Sequence, residues 1–148
     1  MAKIDFKDLV DKNQPKREPN IGRDQVDRLL NRAQKDLASA TKLIPFDEAG
    51  GMDFIYKALF HAANALIRSQ GYRPGPVRQH QGLITAIERI LGKDSKTLIL
   101  KFDQLRKKRN QFEYLGVFEM GKKELESTME MAKQLVDRIT GKINSNSS

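Results

Sequence analysis

Asp53-Phe54-Ile55-Tyr56-Lys57-Ala58-Leu59-Phe60-His61-Ala62-Ala63-Asn64-Ala65-Leu66-Ile67-Arg68 decides the fold. Wound as a helix, this stretch is apolar on nearly every side, through Phe54, Ile55, Tyr56, Leu59, Phe60, Ala63, Leu66 and Ile67. A helix of that kind sits centrally and is touched by several neighbours, whereas a peripheral one shows a single apolar stripe. Its one polar stripe runs Asp53, Lys57, His61, Asn64 and Arg68 at helical spacing.

Such a helix needs partners, and the flanking segments supply them with the same 3.6-residue period. A first helix over 23–43 carries Val26, Leu30, Ala33, Leu37 and Ala40, and Pro45 stops it. Asp47 is a natural N-cap for the central helix, although Gly50-Gly51 can delay its start to Asp53; the helix runs to about Gln70. After the rigid loop Gly71-Tyr72-Arg73-Pro74-Gly75-Pro76 comes a third helix with Leu83, Ile84, Ile87 and Leu91, closed by Gly92. Asp94 or Ser95 caps a fourth, which runs to about Tyr114 before Gly116. The last spans roughly 120–142 through Leu125, Met129, Ala132, Val136 and Ile139. No useful strand alternation and no internal repeat occurs. The expectation is an all-α, up-and-down bundle of four to five helices over 23–142. An N-terminal arm over 1–22, partly flexible, precedes it, and a disordered tail over 143–148 follows.

A chain of 148 residues suits one domain with a real core. With 39% hydrophobic and 31% charged residues, it has an ordinary globular composition. No apolar run approaches the roughly 20 residues of a membrane span, and no signal-peptide core is seen. The absence of cysteine excludes disulfides and thiolate metal sites, which fits a cytoplasmic protein. Formal charge is +8, from 27 basic and 19 acidic residues. That excess favours a polyanionic partner such as RNA or nucleotide phosphate, though charge of this size also serves solubility alone.

Chemistry concentrates in Leu105-Arg106-Lys107-Lys108-Arg109-Asn110-Gln111-Phe112-Glu113-Tyr114. The apolar positions 98, 102, 105 and 112 step by 4, 3 and 7, and the position they skip is Arg109. A guanidinium on a core-facing line must be paired or stay wet. Arg109 is thus either a structural ion-pair member or part of a working cleft. Spacing alone allows a bland network in which Arg106 reaches Asn110 and Arg109 reaches Glu113. Metal and cofactor motifs are missing: there is no His-Glu-x-x-His, no paired Glu-x-x-His and no nucleophile elbow. Gly92-Lys93-Asp94-Ser95-Lys96-Thr97 lacks a phosphate loop's leading glycine and preceding strand. His61 belongs to the polar stripe of the central helix, and His80 lies near the start of the third.

Arg109-Asn110-Gln111-Phe112-Glu113-Tyr114 resembles the signature of the HEPN family, an arginine, a polar residue, and a histidine about five positions on. The central helix followed by Gly71-Tyr72 also resembles the second long helix of HEPN bundles, and the likeness covers roughly residues 24–140. In HEPN ribonucleases the RNA 2′-OH attacks the adjacent phosphate without a metal, in a cleft between two protomers. Carried over, the resemblance implies that Arg109 clamps phosphate and Asn110 supports it. Arg106, Lys107 and His61 would add phosphate-binding charge, in a homodimer. The histidine position, however, holds Tyr114. A phenol titrates far above neutrality and imidazole close to it. Losing the imidazole removes acid–base help of roughly 10²–10⁴ in rate. His61 can replace it only if it faces the same cleft. Tyr114 instead suits stacking on a base or donating to phosphate.

The expected function is therefore a non-catalytic or weakly catalytic HEPN-like module that binds RNA or nucleotide phosphate. By family analogy it belongs to a toxin–antitoxin system with a nucleotidyltransferase-type partner. The rivals are an active metal-independent ribonuclease toxin and a purely structural protein–protein module with Arg109 locked in an ion pair.

Overall fold

The computed structural model describes residues 16–17, 22–73 and 79–146. The described residues form five α-helices: α1 (Arg23–Leu43), α2 (Glu48–Ser69), α3 (Gln79–Leu91), α4 (Lys96–Leu115) and α5 (Lys122–Asn146). A 3-10 turn, Lys93–Ser95, leads into α4. The architecture is an all-α bundle, as the periodicity implied. Helix α2 is its axis: Ile55, Ala58, Leu59, Ala62, Ala63, Ala65, Leu66 and Ile67 are all fully buried. It packs on all four other helices, most extensively on α1.

Two short pieces of extended chain were not foreseen. Lys16–Arg17 (β1) pairs antiparallel with Tyr72–Arg73 (β2), Lys16 opposite Arg73 and Arg17 opposite Tyr72. Two residues per strand are too few for alternation to show in sequence. The pairing ties part of the arm to the end of α2. The rest of the 1–22 segment, apart from Gly22, lies outside the described residues.

Of the two starts the sequence allows for α2, the structure has the earlier. Asp47 caps the helix by accepting from the Gly50 amide at 2.9 Å, so the helix begins at Glu48 and not at Asp53. The glycine pair belongs to this first turn because there is no room for side chains. A Cβ on Gly50 would strike the Asp47 carboxylate, and one on Gly51 would strike Ile44. At the other boundary, Gly116 closes α4 in the left-handed conformation (φ 69°), where a side chain would be strained.

The tail also needs correcting. Helix α5 continues to Asn146, because Ile143 extends the stripe Val136, Ile139 by one more turn and is buried. Asn144 accepts from Arg23 Nη2 at 2.7 Å, which fastens the end of α5 to the start of α1. Only residues 147–148 of the expected tail lie outside the described residues. No helix among the described residues is long and apolar enough to cross a membrane.

Candidate functional site

The seam between α2 and α4 holds the Arg109 cluster. Phe102 and Leu105 anchor α4 in the core, and one turn later the same line carries Arg109 toward α2. Its Nε donates to Asp53 Oδ1 at 3.3 Å, and Nη2 lies 3.6 Å from Glu113 Oε2. The guanidinium carbon sits 5.2 Å from the centre of the Tyr56 ring. Tyr56 in turn packs on Phe102, with ring centroids 5.9 Å apart. The aromatic face and the carboxylate hold Arg109 from two sides.

Arg109 is held loosely. Charge-assisted bonds usually close to about 2.7–2.9 Å, and both of its ion-pair contacts are longer. Its side chain keeps 25% of its exposure, and Nη1 has no partner among the described residues. Asp53 is shared, since Lys57 Nζ reaches its second oxygen at 3.1 Å. This arrangement fixes the guanidinium plane while leaving N–H groups free to meet an incoming anion.

The other expected residues fall into three places. Asn110 is half-buried beside Arg109 and makes no side-chain hydrogen bond among the described residues. Tyr114 stands 82% exposed near the end of α4, next to the exposed Leu115. Lys107 is exposed and 3.5 Å from Asp103. Arg106 does not reach Asn110: its Nε donates to Asp103 at 2.8 Å, one turn back, because a carboxylate outcompetes an amide for a guanidinium. Lys108 reaches the Glu119 carbonyl, in the chain leading to α5, and the Glu124 carboxylate on α5 at 2.8 and 3.0 Å.

His61 does not join this cluster. Its Nδ1 lies 2.7 Å from Asp36 Oδ2 on α1, so the ring turns to the α1–α2 seam. Along α2 it is also roughly 12 Å from Asp53, eight residues at 1.5 Å each. It cannot serve as the replacement proton shuttle beside Arg109. The side chain of His80 lies outside the described residues.

Sequence reasoning missed Tyr56 and Asp103 as parts of the site and Asp53 as the partner of Arg109. Burial pushes the Tyr56 phenol well above its ordinary value, while the nearby Arg109 and Arg106 charges pull the other way. Tyr56 therefore stays a neutral hydroxyl. The Asp103 and Asp53 carboxylates act on the same phenol in the direction of burial. No group of three or more potential metal ligands exists among the described residues.

Comparison with curated proteins gives no match. The HEPN domain family matches residues 26–143, which takes in every helix from the first turn of α1 to Ile143 and includes the Arg109 motif. The chain belongs to the HEPN domain family.

Proposed function

We propose that this HEPN domain binds RNA or nucleotide phosphate on the α4 face and does not cleave it, or cleaves it feebly. The observation that carries this reading is the pairing of a loosely held Arg109 with an exposed Tyr114 where the family motif has histidine. Arg109 meets phosphate oxygens, Asn110 supplies a polar contact, Tyr114 stacks or donates, and Lys107 adds screened charge. Arg106, largely spent on Asp103, contributes by its field more than by contact. A homodimer through this face, and a nucleotidyltransferase-type partner in a toxin–antitoxin setting, belong to the same proposal.

Binding of a labelled single-stranded RNA at two salt concentrations tests it, with cleavage scored on the same samples. The expected result is salt-sensitive binding without cleavage, weakened in Arg109→Ala with a flatter salt slope. Cleavage abolished by Arg109→Ala, or growth arrest on expression that the same change relieves, replaces the proposal with the ribonuclease reading. The Asp53–Arg109–Glu113 contacts favour a second reading, a structural module. It predicts no RNA binding by the wild type and a lowered melting temperature for Arg109→Ala.

A further inference from the structure

Asp36 sits on the core face of α1 between Ala33 and Leu37, with 1% of its side chain exposed. Both oxygens are engaged. Oδ1 accepts from Arg32 Nε at 3.0 Å, with Nη2 at 2.9 Å, and Oδ2 lies 2.7 Å from His61 Nδ1. A carboxylate paired with arginine can only accept, so Nδ1 carries the proton and Nε2 is the outward end of the ring. The two partners are not buried with it: His61 keeps 28% exposure and Arg32 51%. A buried acceptor thus holds an imidazole and a guanidinium side by side at the surface.

Stability does not explain this arrangement, because an apolar residue at a core position serves a helix interface at least as well as a buried ion pair. What the carboxylate adds is orientation. It fixes the tautomer and plane of His61 and the fork of Arg32, leaving the other nitrogens of both to face solvent. Charge continues along the seam. One turn away, Gln25, Arg28, Leu29, Asn64 and Arg68 line an open cleft of about 280 Å³ between the same two helices. There, Arg68 Nε donates to Asn64 Oδ1 at 2.8 Å.

We infer that Arg32 and His61, positioned by the buried Asp36, form a second anion site on the α1–α2 seam, one that takes a phosphate group. It is separate from the Arg109 cluster and stands whether or not that cluster binds RNA. Arg32 donates to the anion from the nitrogens that Asp36 does not use, and His61 donates from Nε2 in its imidazolium form. Asp36 from α1 is the charged group that contacts the ring, with Arg32 on the same carboxylate, while Lys57, one turn before it on α2, is turned to Asp53. Among the described residues no charged group of another helix contacts it. The phosphate comes either from a mononucleotide or from the backbone of a single strand, and the cleft beside it accommodates the attached sugar and base.

The full chain carrying isotope-labelled histidine tests this by nuclear magnetic resonance, with the His61 ring signals assigned by their loss in His61→Asn. Inorganic phosphate is expected to move those signals along a saturable curve, with affinity at least about tenfold weaker in Arg32→Ala. Because that change also strips a partner from Asp36, Arg32→Lys is the companion variant, and it is expected to recover part of the affinity. Sulfate, followed calorimetrically, should bind wild type more tightly than His61→Asn. Adenosine monophosphate and a strand without terminal phosphates then distinguish the two sources, the tighter ligand naming the natural one. Arg109→Ala separates the sites: retained movement of the His61 signals keeps the anion on this seam. Loss of that movement in Arg109→Ala with Arg32→Ala unaffected overturns the site, as does an absence of saturable movement in wild type.

Discussion

Helix α2 carries two charged arrangements that solve the same problem in opposite ways. On the α1–α2 seam the carboxylate is buried and its cations, Arg32 and His61, are at the surface. On the α2–α4 seam the cation Arg109 is the more enclosed partner, and its carboxylates, Asp53 and Glu113, are the wetter ones. In the first, distances of 2.7–3.0 Å mark a tight network. In the second, 3.3 and 3.6 Å mark a loose one. A buried charge must keep its partners, whereas a half-exposed charge can trade them for a ligand. Loss of its partners should therefore cost the first seam stability, its anion being met by nitrogens that Asp36 leaves unused, while the second seam gives up its own contacts to a ligand.

The most damaging way to break this contrast is to leave Asp36 without partners. Arg32→Ala combined with His61→Ala should lower unfolding free energy by about 3–5 kcal/mol in chemical denaturation, the usual effect of an uncompensated buried charge. A loss below about 1 kcal/mol would mean the carboxylate finds water or another donor. For the α2–α4 seam the same measure should barely respond. Arg109→Ala is expected to change stability by no more than about 1 kcal/mol while weakening RNA affinity by about tenfold or more. Tyr114→Ala should leave stability within about 0.5 kcal/mol and weaken a stacked single strand by roughly 1–3 kcal/mol, read by fluorescence anisotropy.

Tyr56 sharpens the comparison at alkaline pH. Burial raises its phenol above the ordinary 10.0, so the folded chain keeps a proton that the unfolded chain loses. This contribution is whole below pH 10.0 and is lost as pH rises toward the native value. Tyr56→Phe should therefore flatten the alkaline fall in stability, seen as a smaller difference between melting temperatures on either side of pH 10.0. The smallest effect belongs to Lys107→Ala, expected to reduce the salt slope of RNA binding by about one while leaving sequence preference unchanged.

The fold was legible because its strongest determinant is local. An apolar run wrapped round α2 demands neighbours, and the stripes of the flanking helices supply them. Even the misplaced end of α5 had a signal in the chain. Ile143 continues the spacing from Val136 and Ile139, but the Asn- and Ser-rich composition after it suggested a tail. The site was legible only in part. Arg109 stood out as a charge on a core line, and Asp36 carries the same signal between Ala33 and Leu37, yet it was overlooked. What sequence could not reveal were the partners. His61 meets Asp36 across 25 residues and Arg109 meets Asp53 across 56, and such pairings depend on the register of packed helices. Where the partner was local, spacing offered two choices for Arg106, and the carboxylate of Asp103 won over the amide of Asn110.

The most direct test measures two quantities on one preparation of Arg109→Ala, the melting temperature and the affinity for single-stranded RNA, each against wild type. The predicted result is a nearly unchanged melting temperature with affinity weaker by about tenfold or more. A clear fall in melting temperature, with no RNA binding by wild type to lose, would contradict it and make Arg109 a structural residue.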